Sequence, residues 1–188
     1  MNYWEERYAK NETGWDIGNV STPLKEYIDQ LEDKSIRILL PGAGNAYEFD
    51  YLIAKGFQNV VVVDIALQPI AAIKERNPAL SNQIRHADFF ELTDTFDLVL
   101  EQTFFCAISP TLRSDYVAKM HELLAEKGKI AGLLFQFPLT EEGPPFGGCA
   151  EEYQTLFSDK FHLKTLETAN NSIKPRENKE LFFIFEKK

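Results

Sequence analysis

The residues best equipped for chemistry stand where short apolar runs end. The run Ile36–Leu40 opens into Pro41-Gly42-Ala43-Gly44-Asn45. Glycines let the main chain pass close to a ligand and place amides at a helix start. Alone, such a turn reads equally as a tight strand-to-helix connection. The next run, Val60–Val63, ends in Asp64. That is about 20 residues past the first glycine, where a carboxylate can accept hydrogen bonds from both hydroxyls of a ribose. After Gln83–His86 comes Ala87-Asp88-Phe89-Phe90. An acid followed by aromatics can hold an adenine by its amino group and by stacking, or form a polar turn before a core ring. Phe96–Leu100 leads into Glu101-Gln102-Thr103-Phe104-Phe105, where Glu101 reads as a general base or as a charged strand end.

The ligand class follows from what the turn lacks. A dinucleotide site needs G-x-G-x-x-G/A, and here Tyr47 takes the last small position. The lysine and Ser/Thr of a phosphate loop are missing too. A nucleoside without a pyrophosphate is expected. S-adenosylmethionine (SAM) fits, with its adenosine, charged amino-acid tail and a sulfonium that favours aromatic faces. No His/Cys/carboxylate group has metal-ligand spacing, so no metal is expected.

The elements that must carry these residues alternate along the chain. Ser21-Thr22-Pro23 reads as a helix start with a hydroxyl cap and an early proline, followed by Leu24, Tyr27, Ile28 and Leu31 at helical spacing. Phe49, Leu52 and Ile53 begin a second helix, and Ile70–Ile73 a short third. Tyr116, Val117, Met120, Leu123 and Leu124 give one helical face, ended by Gly128. Ile130–Phe135 is a fifth strand, and Phe137–Gly148 a loop rich in proline and glycine. Phe161–Leu166 and Leu181–Glu186 make a final antiparallel pair. The expected fold is α/β, a Rossmann-like, doubly wound, mostly parallel seven-stranded sheet with an antiparallel last strand. In such sheets ligands bind beyond the carboxyl ends of the strands, where strand order reverses.

Composition narrows the function. The 188 residues, 44% of them hydrophobic, suit a single domain over residues 1–188 with a substantial core. A net charge of −9 makes a poor surface for nucleic acid or anionic membranes. Cys106 and Cys149 cannot build a disulfide framework and read as thiols in a reducing compartment. The start lacks the apolar stretch of a signal peptide, and the longest apolar run, Ile130–Phe135, is far too short for a membrane span. A cytoplasmic monomer acting on a small molecule is expected. Both tryptophans, Trp4 and Trp15, lie in the first fifteen residues, as though the N-terminus folds back over something. His86, His121 and His162 read as surface or strand-end residues. Arg176 meets an anionic substrate or is a solvated loop charge. Pro144-Pro145-Phe146 follows the fifth strand, not the fourth as in adenine N-methyltransferases.

Taken together these segments resemble the thiopurine methyltransferase-like family of class I methyltransferases, which includes the halide/thiol enzymes. The likeness spans nearly the whole chain. It is carried by Trp4-x-x-x-Tyr8, Gly14-Trp15-Asp16-x-Gly18 with Thr22-Pro23, LLPGAGNAYE, VVVDI, FDLVLEQTFFCAISPTLRSDYV and Gly143-Pro144-Pro145-Phe146. The resemblance implies that residues 1–20 form a lid, with Trp4, Tyr8 and Trp15 over cofactor and substrate. It implies Gly42 and Gly44 under the methionine part, Asp64 on the ribose, and Asp88 with Phe89 on the adenine. Gln102 is implied near the sulfonium, and Phe146 in the substrate pocket. Three positions depart from family patterns: Tyr8 replaces a tryptophan, Phe146 a tyrosine, and Gln102 an arginine of the animal thiopurine enzymes.

The resulting expectation is a SAM-dependent methyltransferase. It would act on a small acceptor, a thiol, thiopurine or halide-like nucleophile, and leave S-adenosylhomocysteine (SAH). A sulfonium methyl is already activated, so placement and water exclusion carry most of the catalysis. The alternatives are a nicotinamide-dependent oxidoreductase on the same topology and a non-catalytic SAM-binding regulatory domain.

Overall fold

The structure, a computed structural model, describes residues 3–188, so Met1 and Asn2 of the expected lid lie outside the described residues. Seven strands form one sheet: β1 (Ile38–Pro41), β2 (Val60–Asp64), β3 (Ile84–His86), β4 (Phe96–Gln102), β5 (Leu124–Phe135), β6 (Phe161–Thr168) and β7 (Glu180–Lys187). Their order is β3-β2-β1-β4-β5-β7-β6. β1 runs parallel to both β2 and β4, and β5 parallel to β4. β7 inserts between β5 and β6, antiparallel to both. The mostly parallel sheet with an antiparallel last strand is therefore observed, and strand order reverses between β1 and β4.

Six helices accompany the strands: α1 (Tyr3–Ala9), α2 (Thr22–Asp29), α3 (Tyr47–Ala54), α4 (Leu67–Arg76), α5 (Arg113–Leu123) and α6 (Ala150–Phe157). Alternation in β1 shows why both sheet faces need cover. Ile38 and Leu40 pack with Leu24, Phe49, Leu52 and Ile70 from α2, α3 and α4. Leu39, between them, joins the core of Tyr116, Met120, Tyr153 and Phe157 from α5 and α6. Strands buried on both faces read as continuous apolar runs, as Val60–Val63 does. Among the described residues, no helix is long and apolar enough to cross a membrane.

Three local expectations change. Ser21 starts α2 but its hydroxyl does not cap it; it donates to Gln102 Oε1 at 2.9 Å. α5 ends at Leu123, and Leu124 already pairs with Phe96 in the sheet. Gly128 thus lies inside β5 beside a register shift and not at the helix end. Nor did the pattern of the sequence assign α6, whose acids Glu151 and Glu152 suit the positive end of a helix.

Candidate active site

The glycine turn occupies the reversal point. Gly42 and Gly44 both have positive φ, +55° and +52°. A Cβ on Gly42 would stand 2.1 Å from Cδ2 of Phe104, and one on Gly44 would stand 3.0 Å from the Tyr8 hydroxyl. Both glycines are thus required by conformation and by close approach. Ala43 N donates to Val63 O at 3.4 Å, tying the turn to β2.

Asp64, at the end of β2, is 7% exposed. It accepts from Gly44 N at 2.9 Å and Ala66 N at 2.8 Å. Burial pushes its carboxyl above the usual range, and three main-chain donors, Ala66, Gly44 and Ile65, oppose that. A carboxylate has about four acceptor positions, so it retains capacity for a ribose hydroxyl. Asp88 is exposed and accepts from Phe90 N at 2.9 Å, starting a short turn. Phe89 is buried, edge-on to Phe90 and Phe104.

Two cavities adjoin these groups. The larger, about 610 Å³, has Asp64, Asp88 and Phe89 on one side and Trp4, Tyr8, Trp15, Phe104, Cys106, Pro144 and Pro145 around the rest. The smaller, about 60 Å³, lies along Gly42–Asn45 and is lined by Trp15, Asp16, Glu48 and Gln102. Thus Trp4, Tyr8, Gly42, Asp64, Asp88 and Phe89 converge on the chamber. Gly44 and Gln102 face the small pocket, and Trp15 and Gly42 face both.

The N-terminal segment closes the chamber with edge-to-face rings. Trp4 and Trp15 have centroids 5.4 Å apart, and Tyr8 and Trp15 5.5 Å. Burial, with the charge of Asp64, drives the Tyr8 hydroxyl far above its ordinary pKa. Asp16 accepts from Gly18 N, from Asn45 Nδ2 and from the Tyr47 hydroxyl, pinning the segment to the glycine turn. Arg176 donates to Trp15 O at 2.7 Å and pairs with Glu180 at 3.3 Å, so it is neither free nor fully solvated. Arg7 lines the chamber as well, and among the described residues its Nε is buried without a partner.

Phe146 belongs to the loop that carries Pro144 and Pro145. Its main-chain N donates to Cys106 O at 2.8 Å, while its ring lies over Gly143, where a Cβ would meet it at 2.7 Å. It lines neither cavity among the described residues. Pro144 and Pro145 of the same loop line the chamber. Phe105 points into the core.

Glu101 is engaged within the fold. It is 0% exposed and accepts from Phe104 N at 2.8 Å, Phe105 N at 2.9 Å and the Tyr116 hydroxyl at 2.7 Å. These bonds hold the loop after β4, in which Thr103 takes positive φ and Phe104 presses on Gly42. The reading of spacing missed Ser21, Glu48 and Arg7. An acid in the first turn after the glycine turn was the only local signal for Glu48.

The donor set suits a nucleoside with a zwitterionic tail: a glycine cradle that a Cβ would fill, a strand-end carboxylate with a spare acceptor position, and aromatic walls. Comparison with known proteins agrees. The chain is 28% identical over 159 residues to a probable thiol methyltransferase 2 of Arabidopsis thaliana, covering 81% of this chain and 70% of that one. It is 23% identical to a thiopurine S-methyltransferase of Acinetobacter baylyi, over 88% and 87% of the two chains. Its fold matches the 1,6-didemethyltoxoflavin-N1-methyltransferase of Burkholderia thailandensis, solved with 1,6-didemethyltoxoflavin and SAH. The TM-score is 0.79 at 17% identity, over 98% and 85% of the chains. The family model of thiopurine S-methyltransferase matches residues 1–188, and the chain therefore belongs to that family and is a SAM-dependent methyltransferase.

Proposed function

We propose that the chain methylates a soft sulfur nucleophile on a small, largely apolar acceptor. The observation that carries this is a chamber walled mainly by aromatic, aliphatic and proline side chains, whose carboxylates, Asp64 and Asp88, stand on the side given to ribose and adenine. Cys106 faces it, but burial and the charge of Glu101 push that thiol far above its ordinary range. Tyr8 is shifted the same way, and all the acceptance of Glu101 observed here goes to loop and tyrosine donors. An acceptor that ionises unaided needs no base, and a thiol or thiopurine does so far more readily than an alcohol or amide.

When bound, the cofactor would supply a sulfonium methyl as the electrophile; an acceptor thiolate would form a new S–CH3 bond in line as the cofactor's S–CH3 bond breaks, giving a thioether with SAH as the leaving group. The chain positions and shields. Asp64 accepts from a ribose hydroxyl, and Asp88 with Phe89 holds the adenine. Gly42, Gly44 and Gln102 receive the methionine end. Trp4, Tyr8 and Trp15 cover the site and exclude water. Phe146 acts indirectly, by seating Pro144 and Pro145. A nicotinamide enzyme is not favoured: Tyr47 occupies the position where a pyrophosphate site needs a small residue.

Transfer of label from methyl-labelled SAM to a panel of aryl thiols, thiopurines, thiocyanate and iodide tests the reading. Turnover fastest on the apolar thiols is expected. A protein that binds SAH yet methylates no thiol would overturn it.

A further inference from the structure

This inference rests on the SAM reading and concerns a residue to which no role has yet been given. We propose that the carboxylate of Glu48 receives the α-ammonium of the cofactor's amino-acid end in the small pocket beside the glycine turn. An amino-acid end is zwitterionic, so a confined pocket must bring an anion or strong acceptors to its cation. Here β1 ends in Leu40-Pro41 and offers no carboxylate. Two acids line the pocket. Asp16 is already engaged by Gly18 N, Asn45 Nδ2 and the Tyr47 hydroxyl. Glu48, in the first turn of α3, is 9% exposed. Among the described residues, its carboxylate accepts from main-chain N–H groups, its own and that of Ser21.

Arg176 attracts the charge of Glu48, and Asp16 repels it less strongly. The guanidinium of Arg176, however, is directed to Trp15 O and Glu180. The desolvated carboxylate thus lacks a bound cation of its own, and burial pushes it above the usual range. Gln102, on the same pocket, has its amide oxygen occupied by the Ser21 hydroxyl. That leaves Glu48 as the anionic acceptor there whose side chain is not bound by another side chain. A plain capping role for Glu48 makes the opposite prediction, a loss that ignores what the ligand carries.

The test is calorimetry on the full chain with two ligands, SAH and its des-amino analogue, in which hydrogen replaces the α-amino group. The wild type should prefer SAH by about tenfold or more, the scale of one charge-assisted hydrogen bond. In Glu48→Gln that preference should collapse, while the analogue binds both proteins within about twofold. If Glu48→Gln does not fold, Glu48→Asp, which keeps the charge but withdraws it by one methylene, carries the same comparison and should lose part of the preference. A variant that keeps the full wild-type preference overturns the assignment. So does one that weakens both ligands equally, which is the capping outcome. A wild type that binds both ligands without preference overturns the Glu48 assignment alone, whereas one that binds neither overturns the SAM reading beneath it.

Discussion

On one side of the chamber, Asp64 joins the end of β2 to the glycine turn through Gly44 N and Ala66 N. On the other side, Trp4, Tyr8 and Trp15 are held by ring edges, by Asp16 and by one arm of Arg176. The first wall is built from neighbouring strand ends, where main-chain hydrogen bonds fix position within the sheet. The second is assembled by side chains from opposite ends of the chain; the Arg176–Trp15 bond spans 161 residues. The first wall tolerates little change because its spacing is that of the backbone. The second can be altered while the sheet survives, which is where acceptor preference can diverge within one fold.

The largest effect should come from adding a methyl group to the first wall. Gly42→Ala forces a Cβ onto Phe104 at a positive φ. A stability loss of about 2–4 kcal/mol is expected from overpacking and the left-handed conformation, with SAH affinity reduced at least about a hundredfold. Denaturant melts and calorimetry read both. Near-normal values would mean that Phe104 swings aside cheaply and the first wall is not rigid.

Asp64→Ala comes next. Loss of its bond to ribose should cost about 1.5–3 kcal/mol of SAH binding, roughly 10- to 150-fold. Because Asp64 also holds Gly44 N, some apo stability should go with it. Unchanged affinity by calorimetry would show that the ribose lies elsewhere.

A smaller change is expected at the second wall. Arg176→Lys keeps a positive charge for the buried Glu180 but cannot also reach Trp15 O with a second planar arm. The fold should persist, with SAH affinity down by a few-fold, about 1 kcal/mol for one hydrogen bond. Trp15 emission should shift toward that of a solvated indole. A variant whose emission and affinity both match the wild type would show that the lid does not depend on this latch.

The smallest effect belongs to Phe146→Tyr. With the ring over Gly143 and away from the chamber, acceptor preference between an aryl thiol and thiocyanate should stay within about twofold, less than a typical hydrogen-bond contribution. A marked gain on thiocyanate would put that side chain back into the acceptor site and make the second wall more mobile than its contacts indicate.

Much of the first wall was legible in the chain itself. The glycine pair, Asp64 and Asp88 follow apolar runs whose length marks buried strands, and a strand end in a doubly wound sheet has a known place relative to the ligand. That inference needs only local period and the topology rule. The pairing of the last two strands was legible too, since no long helix pattern separates Leu166 from Leu181. Placing β7 between β5 and β6 was another matter: it depends on which edge of the sheet accepts a strand, and no spacing records that.

The remaining site needed tertiary structure because its partners are distant and its geometry is rotameric. Ser21 looked like a helix cap; Gln102, 81 residues away, takes its hydroxyl instead. Glu101 read as a base or a charged strand end; the structure surrounds it with three donors. Phe146 had the right type and neighbours for a pocket wall, yet its ring lies over Gly143 while the prolines beside it line the chamber. By itself, then, the sequence determined the elements, the strand ends that line the chamber and the family likeness, since these depend on local periodicity and short motifs. Only the folded chain decided which side chains face the cavities, because hydrogen bonds and packing between distant segments select one rotamer from several that local sequence allows equally.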